Sequence, residues 1–244
     1  MKKHILLVRG ARKTPYDTFS RQIKERLAAA ADSHDLSGLK VTLTERPPPL
    51  LTPIPFLRRR LACVSLWTSL PTPPLPASTP PLASTPPPVQ RLMEALGTGV
   101  DSLHLYKVDE SVPVAYDFHP DPGEKTPGVG LLTLMNRNPN MGVARFRHEW
   151  FGKHTPMTLK IHPVWQYVRN VVTEPHSPAA PPYEGIVEEH FREPRDLLNT
   201  VRFFGGPTQF FFNMIRVGLH IRTFLDLSRI ETYFVHEYTF KTPF

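Results

Sequence analysis

The sequence contains very little cysteine, since only Cys63 carries a thiol among 244 residues. One cysteine excludes an intrachain disulfide, so the composition is typical of a reducing compartment and we expect a cytoplasmic location. Cys63 lies inside an apolar run, where a buried and inert thiol is expected. The apolar run that follows Lys2 and Lys3, residues 5–8, is too short for the hydrophobic part of a secretion signal.

Long hydrophobic runs are also absent. The most apolar stretch, residues 209–227, is interrupted by polar and charged side chains, namely Asn213, Arg216, His220, Arg222 and Asp226. Such a stretch cannot cross a bilayer as a helix at acceptable cost. We therefore expect no membrane partner.

Several motifs that carry well-understood chemistry are missing. The chain has no HExxH, CxxC, GxSxG, GxGxxG or Walker sequence, which leaves metal, dinucleotide and serine-hydrolase functions without support. We expect no metal site and no cofactor. The formal net charge is +7, but the basic residues are dispersed and the only tight run is Arg58, Arg59 and Arg60. A nucleic-acid partner is therefore not expected.

Proline, by contrast, is abundant, and 14 of the 29 prolines fall in residues 47–55 and 71–88. Proline fixes φ and lacks an amide donor, so both segments are predicted to be extended loops and not sheet. Two interpretations stay open for them. One is a long linker, and the other is a polyproline II ligand for an aromatic groove.

Hydrophobic periodicity predicts the element order β-α-β-β-α-β twice. In the first half, strands are predicted at residues 5–8, 39–44, 61–67 and 100–106, and helices at 14–31 and 89–96. In the second half, strands are predicted at residues 129–135, 164–172, 183–191 and 230–240, and helices at 143–153, 196–203 and 209–225. A shift of the second half by 127 positions places Phe146 on Phe19 and Trp150 on Ile23. We therefore predict two units, residues 1–118 with a proline-rich insertion at 47–88, and residues 128–244.

The predicted fold class is α+β, with two tandem ferredoxin-like (β-α-β-β-α-β) units. Helices cover one face of each sheet, so the other face must be buried by a partner. Two such sheets in one chain can pack against each other as a pseudo-dimeric α+β barrel. Space between a sheet and its helix would then form a pocket with apolar walls.

The segment 146–170 contains the best candidate for a catalytic residue. Phe146, Trp150 and His154 are spaced four apart, so they share one helical face, which is predicted to be buried. Pro156 removes an amide donor, so the helix is predicted to end or kink at His154. The helix dipole favours a protonated imidazole there, whereas burial opposes it, and this balance suits a general acid or base near neutral pH. A structural histidine bonded to a backbone carbonyl is the alternative.

This segment resembles the EthD family of the dimeric α+β barrel superfamily. That family's motif has a Phe, a Trp, a His-x-Pro and a later Tyr-Val pair, which correspond here to Phe146, Trp150, His154-Thr-Pro156 and Tyr167-Val168. The resemblance covers residues 129–241. In the first half Leu27 stands where His154 would be, so that half resembles a degenerate copy without a site.

The resemblance implies an α+β barrel with a pocket, and a family context of ether degradation beside an oxygenase. Relatives in the superfamily include polyketide cyclases, lactone isomerases, cofactor-free monooxygenases and haem proteins. His154 is then the expected catalytic residue, and Tyr167, Trp150 and His236 are expected to bind the substrate. The additional helix at 207–227 is a core element, a pocket wall, a lid or an oligomer interface.

Three functions follow as hypotheses. The first is binding of a small, apolar, oxygen-bearing organic molecule, with acid–base chemistry of the cyclase, isomerase or dehydratase type at His154. The second is a non-catalytic binding or assembly protein, which could be a homodimer. The third is a haem-binding or cofactor-free oxygenase-type barrel, with His154 as the axial ligand in the haem case.

Overall fold

A computed structural model describes residues 1–31, 35–68, 85–175, 177 and 179–243 of the chain. The strands in this part are β1 (Lys2–Gly10), β2 (Leu36–Leu43), β3 (Leu61–Thr68), β4 (Val100–Val114), β5 (Glu124–Lys125), β6 (Val129–Met135), β7 (Gln166–Pro175), β8 (Gly185–Phe191) and β9 (Glu231–Lys241). The α-helices are α1 (Tyr16–Ala31), α2 (Pro87–Gly97), α3 (Val143–Arg147), α4 (Thr155–Ile161), α5 (Pro194–Leu198), α6 (Thr200–Phe203) and α7 (Phe210–Phe224). A π-helical turn, His148–His154, joins α3 to α4.

The described strands form one antiparallel sheet that closes on itself. The order around the sheet is β2-β3-β1-β4-β7-β8-β6-β9, and β9 pairs with β2 to complete the ring. The short strand β5 adds to the side of β9. The order β2-β3-β1-β4 recurs in β7-β8-β6-β9, as two ferredoxin-like units require. The predicted α+β barrel is therefore confirmed.

The strands are buried on both faces because helices cover the outside and the opposite sheet covers the inside. In β1, Leu6 and Val8 pack in the cluster beneath α1 and α2, whereas Ile5 and Leu7 pack in a cluster with residues of the second half. This two-sided burial explains the unbroken apolar run at residues 5–8. Cys63 also lies in the inner cluster, and burial raises the pKa of its thiol.

Part of the barrel interior is charged. Lys40 Nζ lies 3.0 Å from Glu237 and 3.4 Å from Glu188, and Lys3 Nζ lies 3.3 Å from Glu188. All four side chains are at most 10% exposed. The lysines come from the first half and the glutamates from the second, so these ion pairs connect the two halves across the barrel.

The interior network keeps its carboxylates ionised. Burial alone would raise the pKa of Glu188, but the charges of Lys40 and Lys3 and a hydrogen bond from Asn170 lower it to about 2. Burial would also raise the pKa of Glu237, and the charge of Lys40 lowers it. Paired charges of this kind are the form in which buried lysine and glutamate are tolerated.

Some element boundaries differ from those predicted. β4 continues past residue 106 to Val114 because its second part pairs with β7, a long-range contact that local periodicity does not report. The helix predicted at 196–203 is divided into α5 and α6 at Asn199, whose side chain caps α6 by accepting from the Arg202 amide. The segment between the two predicted units, residues 119–127, contains β5.

The proline-rich segments have different outcomes. Residues 47–55 contain neither helix nor strand, as predicted. Most of the segment 71–88 lies outside the described residues, but Pro87 and Pro88 begin α2, where a missing amide donor carries no cost. None of the described helices is both long enough and apolar enough to cross a membrane.

Candidate functional site

The helix that carries the predicted histidine packs on the outer face of the second sheet. Phe146 and Trp150 are almost fully buried, with ring centroids 5.6 Å apart, and both belong to a cluster with Tyr167 of β7. Phe224 of α7 closes this cluster, 6.0 Å from Phe146. The predicted buried face is therefore confirmed for Phe146 and Trp150.

The helix does not end at His154, so of the two predicted outcomes, an end or a kink, the end is wrong. The turn is π-helical, and the Thr155 amide donates to the carbonyl of Trp150, five residues earlier. The Thr155 hydroxyl also donates to this carbonyl, at 3.0 Å. The wider turn makes room for Pro156, so α4 continues to Ile161. Turns of this kind occur often at functional sites.

His154 is half-buried and faces α7. Its ring centroid lies 5.1 Å from that of Phe224 and 5.5 Å from that of His220. Nε2 lies 3.4 Å from the Thr158 hydroxyl, whereas Nδ1 is shielded from solvent and has no hydrogen-bond partner among the described residues. The two histidines therefore form a neighbouring pair between two helices.

Both imidazoles are neutral at neutral pH. Burial, followed by the charges of His220 and His162, lowers the pKa of His154 to about 3. The expectation of a pKa near neutrality is therefore wrong, because the helix continues past His154 and its dipole does not offset burial. Burial also lowers the pKa of His220, against the opposing effects of the charge and backbone of Glu149.

A cleft of about 540 Å³ opens beside this pair, between α4 and α7. Two apolar side chains, Met157 and Leu219, line the cleft. The polar side chains in its lining are Lys153, Arg216, His220 and Thr223. His220 Nε2 is a second shielded ring nitrogen without a partner in the described part of the chain. His154 does not itself line the cleft.

The structure brings Trp150 and Tyr167 to the wall behind His154. Tyr167 is 2% exposed and its hydroxyl contacts Trp150 and Thr155, and burial raises the pKa of that hydroxyl. Neither side chain lines the cleft. Their expected role in substrate binding stays a prediction, and in this geometry they would act by positioning the histidine helix.

His236 is not brought to this site. It lies on β9 opposite Leu43 of β2, with its ring 5.4 Å from that of Phe234 and its Nδ1 3.5 Å from Glu45. Burial, then the charge of Lys125, lowers its pKa to about 4. The predicted substrate contact at His236 would therefore need a different binding site from the cleft beside His220.

Sequence reasoning missed Glu189, which lies on the outer face of the second sheet. Its neighbours across the strands are Tyr167 on β7 and Leu131 on β6, and it makes no hydrogen bond or ion pair within the described residues. Burial raises its pKa to about 8, so the carboxyl is largely protonated at neutral pH. The sequence did contain a signal that Glu189 is buried, because Val187 and Phe191, which lie on the same face of β8, are apolar.

The donor sets give little support to a bound metal or haem. Among the residues that the structure describes, no three His, Cys, Asp or Glu side chains are arranged to hold a metal ion. A haem with His154 as axial ligand would need that ring on the surface of the cleft, but Phe224, His220 and Thr158 surround it.

Comparisons with known proteins bear on the fold. No family model matches the chain. No curated protein matches it either. The crystal structure of an anthrone oxidase-like protein has a TM-score of 0.59 at 9% identity, over 100% of this chain and 95% of that one. The fold is that of a dimeric α+β barrel. Here one chain supplies both halves.

Two further solved structures resemble the barrel more distantly. A candidate monooxygenase from Fusobacterium nucleatum has a TM-score of 0.47 at 6% identity, over 98% of this chain and 92% of that one. A candidate monooxygenase from Lactobacillus acidophilus has a TM-score of 0.45 at 8% identity, over 98% and 96%. At such identities the likeness concerns the fold alone.

Proposed function

We propose that this chain binds a small, mainly apolar organic molecule in the cleft between α4 and α7, that His220 binds its hydroxyl or carbonyl oxygen, and that His154, 5.5 Å from His220, positions that ring. The observation that carries the proposal is His220 Nε2, a ring nitrogen of a cleft-lining residue that is shielded from water without a partner among the described residues. The resemblance of residues 129–241 to the EthD family is a further part of the proposal.

Unpartnered buried nitrogens are costly, so a ligand that pairs with them gains affinity. Leaving a buried polar atom unsatisfied costs about 1–3 kcal/mol. A hydroxyl or carbonyl oxygen that enters beside His220 recovers part of that cost, while Met157 and Leu219 cover the apolar body of the ligand. A hydrocarbon of the same shape recovers only the apolar part.

His220 can also support proton transfer. A neutral imidazole accepts a proton from an acidic carbon or hydroxyl beside a carbonyl, and the anion formed next to it stabilises the imidazolium. Because burial lowers the pKa of His220, this step requires a substrate anion that stays beside the ring and stabilises the imidazolium. Enolisable aromatic ketones, whose enolate charge is delocalised over the rings, suit this step.

The name of the structural neighbour supports this substrate class. "Anthrone oxidase-like" denotes chemistry on an aromatic ketone. Such a ketone matches an apolar cleft with a proton acceptor. Isomerase, dehydratase and cyclase reactions start with removal of a proton beside a carbonyl. An oxygenase reaction without a cofactor starts in the same way, with molecular oxygen as the oxidant.

Calorimetric titration with anthrone tests the proposal. We expect anthrone to bind more tightly than 9,10-dihydroanthracene, which lacks the oxygen, and His220→Gln to weaken anthrone binding about tenfold. His148→Gln serves as the control, since His148 is exposed and lies in the π-helical turn that also carries His154. Equal binding of anthrone and 9,10-dihydroanthracene would contradict the proposal. Full binding and turnover by both His220→Gln and His154→Ala would contradict it as well.

A second candidate role is assembly with another chain. The outer face of α7 exposes Phe211, Phe212, Ile215 and Leu219, and Phe212 is 74% exposed. Exposed aromatic residues in contiguous positions are typical of contact surfaces. Sedimentation equilibrium of the wild type and of Phe212→Ser tests this role, and a wild-type monomer at micromolar concentration would argue against it.

A further inference from the structure

A second cleft, of about 420 Å³, lies at the end of the first sheet where β1 ends and β3 and β4 begin. Besides Gly10, it is lined by five arginines and one aspartate, namely Arg9, Arg12, Arg58, Arg59, Arg60 and Asp101. The sequence run Arg58–Arg60 is therefore not dispersed surface charge. The fold adds Arg9 and Arg12 to it.

The two arginine-bearing segments are held together by backbone contacts. The Gly10 amide donates to the carbonyl of Arg60 at 3.1 Å. A Cβ atom at Gly10 would lie 2.5 Å from the Phe19 ring and 2.9 Å from Cβ of Arg60. Only glycine allows this approach, so the cleft is a built feature of the fold and not a chance meeting of mobile side chains.

One arginine is neutralised by the protein itself. Arg9 donates two hydrogen bonds to the Glu231 carboxylate, at 3.0 and 3.1 Å, and further hydrogen bonds to the hydroxyl oxygens of Tyr183 and Tyr233. These contacts neutralise the charge of Arg9 and hold its side chain in place.

The other four arginines have no acidic partner among the described residues. Arg60 stacks on Tyr16 at 4.2 Å, and its Nε is shielded without a hydrogen-bond partner. Arg58 reaches the Pro48 carbonyl at 3.4 Å. With Arg9 paired, the remaining arginines and Asp101 leave the cleft with a net charge of +3.

Like charges in one concave site repel each other unless an anion is bound. The planar guanidinium donates two parallel hydrogen bonds to phosphate, which makes arginine the preferred residue for phosphate groups. The volume falls within the range of small-molecule sites. A nucleic-acid backbone would instead need a basic stripe along the surface, whereas these arginines meet in one cleft.

We propose that this cleft binds a small molecule that carries a diphosphate group. Two adjacent phosphates present enough negative charge to match the excess of +3, and enough oxygens for several guanidinium groups. The site lies on the first half of the chain and uses none of the residues around His154 and His220, so it stands independently of the chemistry proposed there.

Isothermal titration with inorganic pyrophosphate, orthophosphate and ADP tests this inference on the full chain. We expect pyrophosphate and ADP to bind, and orthophosphate to bind at least about tenfold more weakly. In the double variant Arg12→Gln/Arg59→Gln, pyrophosphate binding should weaken at least tenfold. The matched control is Arg145→Gln/Arg147→Gln, which removes the same charge from exposed positions on α3 and should bind like the wild type.

Three results would overturn the inference. The first is no binding of pyrophosphate at 1 mM. The second is equal weakening by the two double variants, which would show a general charge effect. The third is a single-stranded oligonucleotide that binds more tightly than ADP at the same salt concentration, which would assign the cleft to nucleic acid. Each variant should have the same thermal unfolding temperature as the wild type, which establishes that a loss of binding is not a loss of fold.

Discussion

Glu189 is a single acidic side chain on an otherwise apolar face of β8, and its protonation has a measurable consequence. Its pKa of about 8 in the folded chain lies above the ordinary value of 4.5. The folded state therefore binds a proton that the unfolded state has already lost. The contribution of this group to the free energy of unfolding is therefore greatest below pH 4.5, and it falls as the pH rises towards 8.

Replacement of Glu189 by glutamine should stabilise the protein at neutral and basic pH. The amide keeps the shape of the protonated carboxyl but cannot ionise, so the gain should grow from pH 5 to pH 8 and reach the order of 2 kcal/mol. Chemical unfolding of Glu189→Gln and of the exposed control Glu94→Gln at pH 5 and 8 measures it. A gain that does not change with pH would contradict the protonated state.

At the residue scale the sequence located some groups and missed others. The spacing of Phe146, Trp150 and His154 predicted a shared helical face, because helical periodicity is a local property. His220 as the neighbour of His154 was not predictable, since their contact depends on how α7 packs across α4. The sequence shows that Glu189 alternates with apolar residues, but only the closed sheet shows which face of β8 lies under the helices.

At the scale of elements, the contact between the second sheet and its helices depends on a glycine. A Cβ atom on Gly185 of β8 would lie 2.5 Å from Met135 Cε and 2.7 Å from the Trp150 ring. We predict that Gly185→Ala displaces Trp150 and destabilises the fold by about 1–3 kcal/mol.

The matched substitution for this test lies on α7. Gly218 has open space where a Cβ would be, and it sits inside a helix. Gly218→Ala should therefore stabilise by about 0.5–1 kcal/mol, because alanine favours helix. Urea unfolding of both variants checks the pair, and a neutral Gly185→Ala would show that Trp150 has more room than the packing implies.

Element order was predictable and some element ends were not. Alternation and helical spacing specified the strands and helices of both halves because those signals are local. The π-helical turn at His148–His154 was not predicted, since Pro156 alone is equally compatible with a helix end. The extension of β4 to Val114 depends on pairing with β7, which the local sequence does not encode.

At the scale of the whole molecule, the buried ion pairs hold the two halves of the barrel together. Glu188 contacts both Lys3 and Lys40, so Glu188→Gln leaves two buried cations with one fewer carboxylate. We predict a loss of about 3–5 kcal/mol at pH 7. Thermal unfolding of this variant beside Glu94→Gln provides the comparison.

The pH dependence of that loss has a definite sign. The pKa of Glu188 is lowered to about 2, so its contribution is complete above its ordinary value of 4.5 and is lost as the pH falls towards 2. The difference between wild type and Glu188→Gln should therefore shrink across this interval. A difference that is constant from pH 5 to pH 2 would contradict a contribution from the charge of Glu188.

The proposed function depends on contact between the His220 imidazole and a ligand oxygen, with the His154 ring packed 5.5 Å away. Nitrogen-15 NMR of histidine-labelled protein, recorded at pH 7 with and without anthrone, observes these atoms directly. Neutral signals are expected for both rings, and addition of anthrone should shift His220 Nε2 strongly and the neighbouring His154 ring less, with His148 unchanged. Spectra in which anthrone leaves both rings unmoved would contradict it.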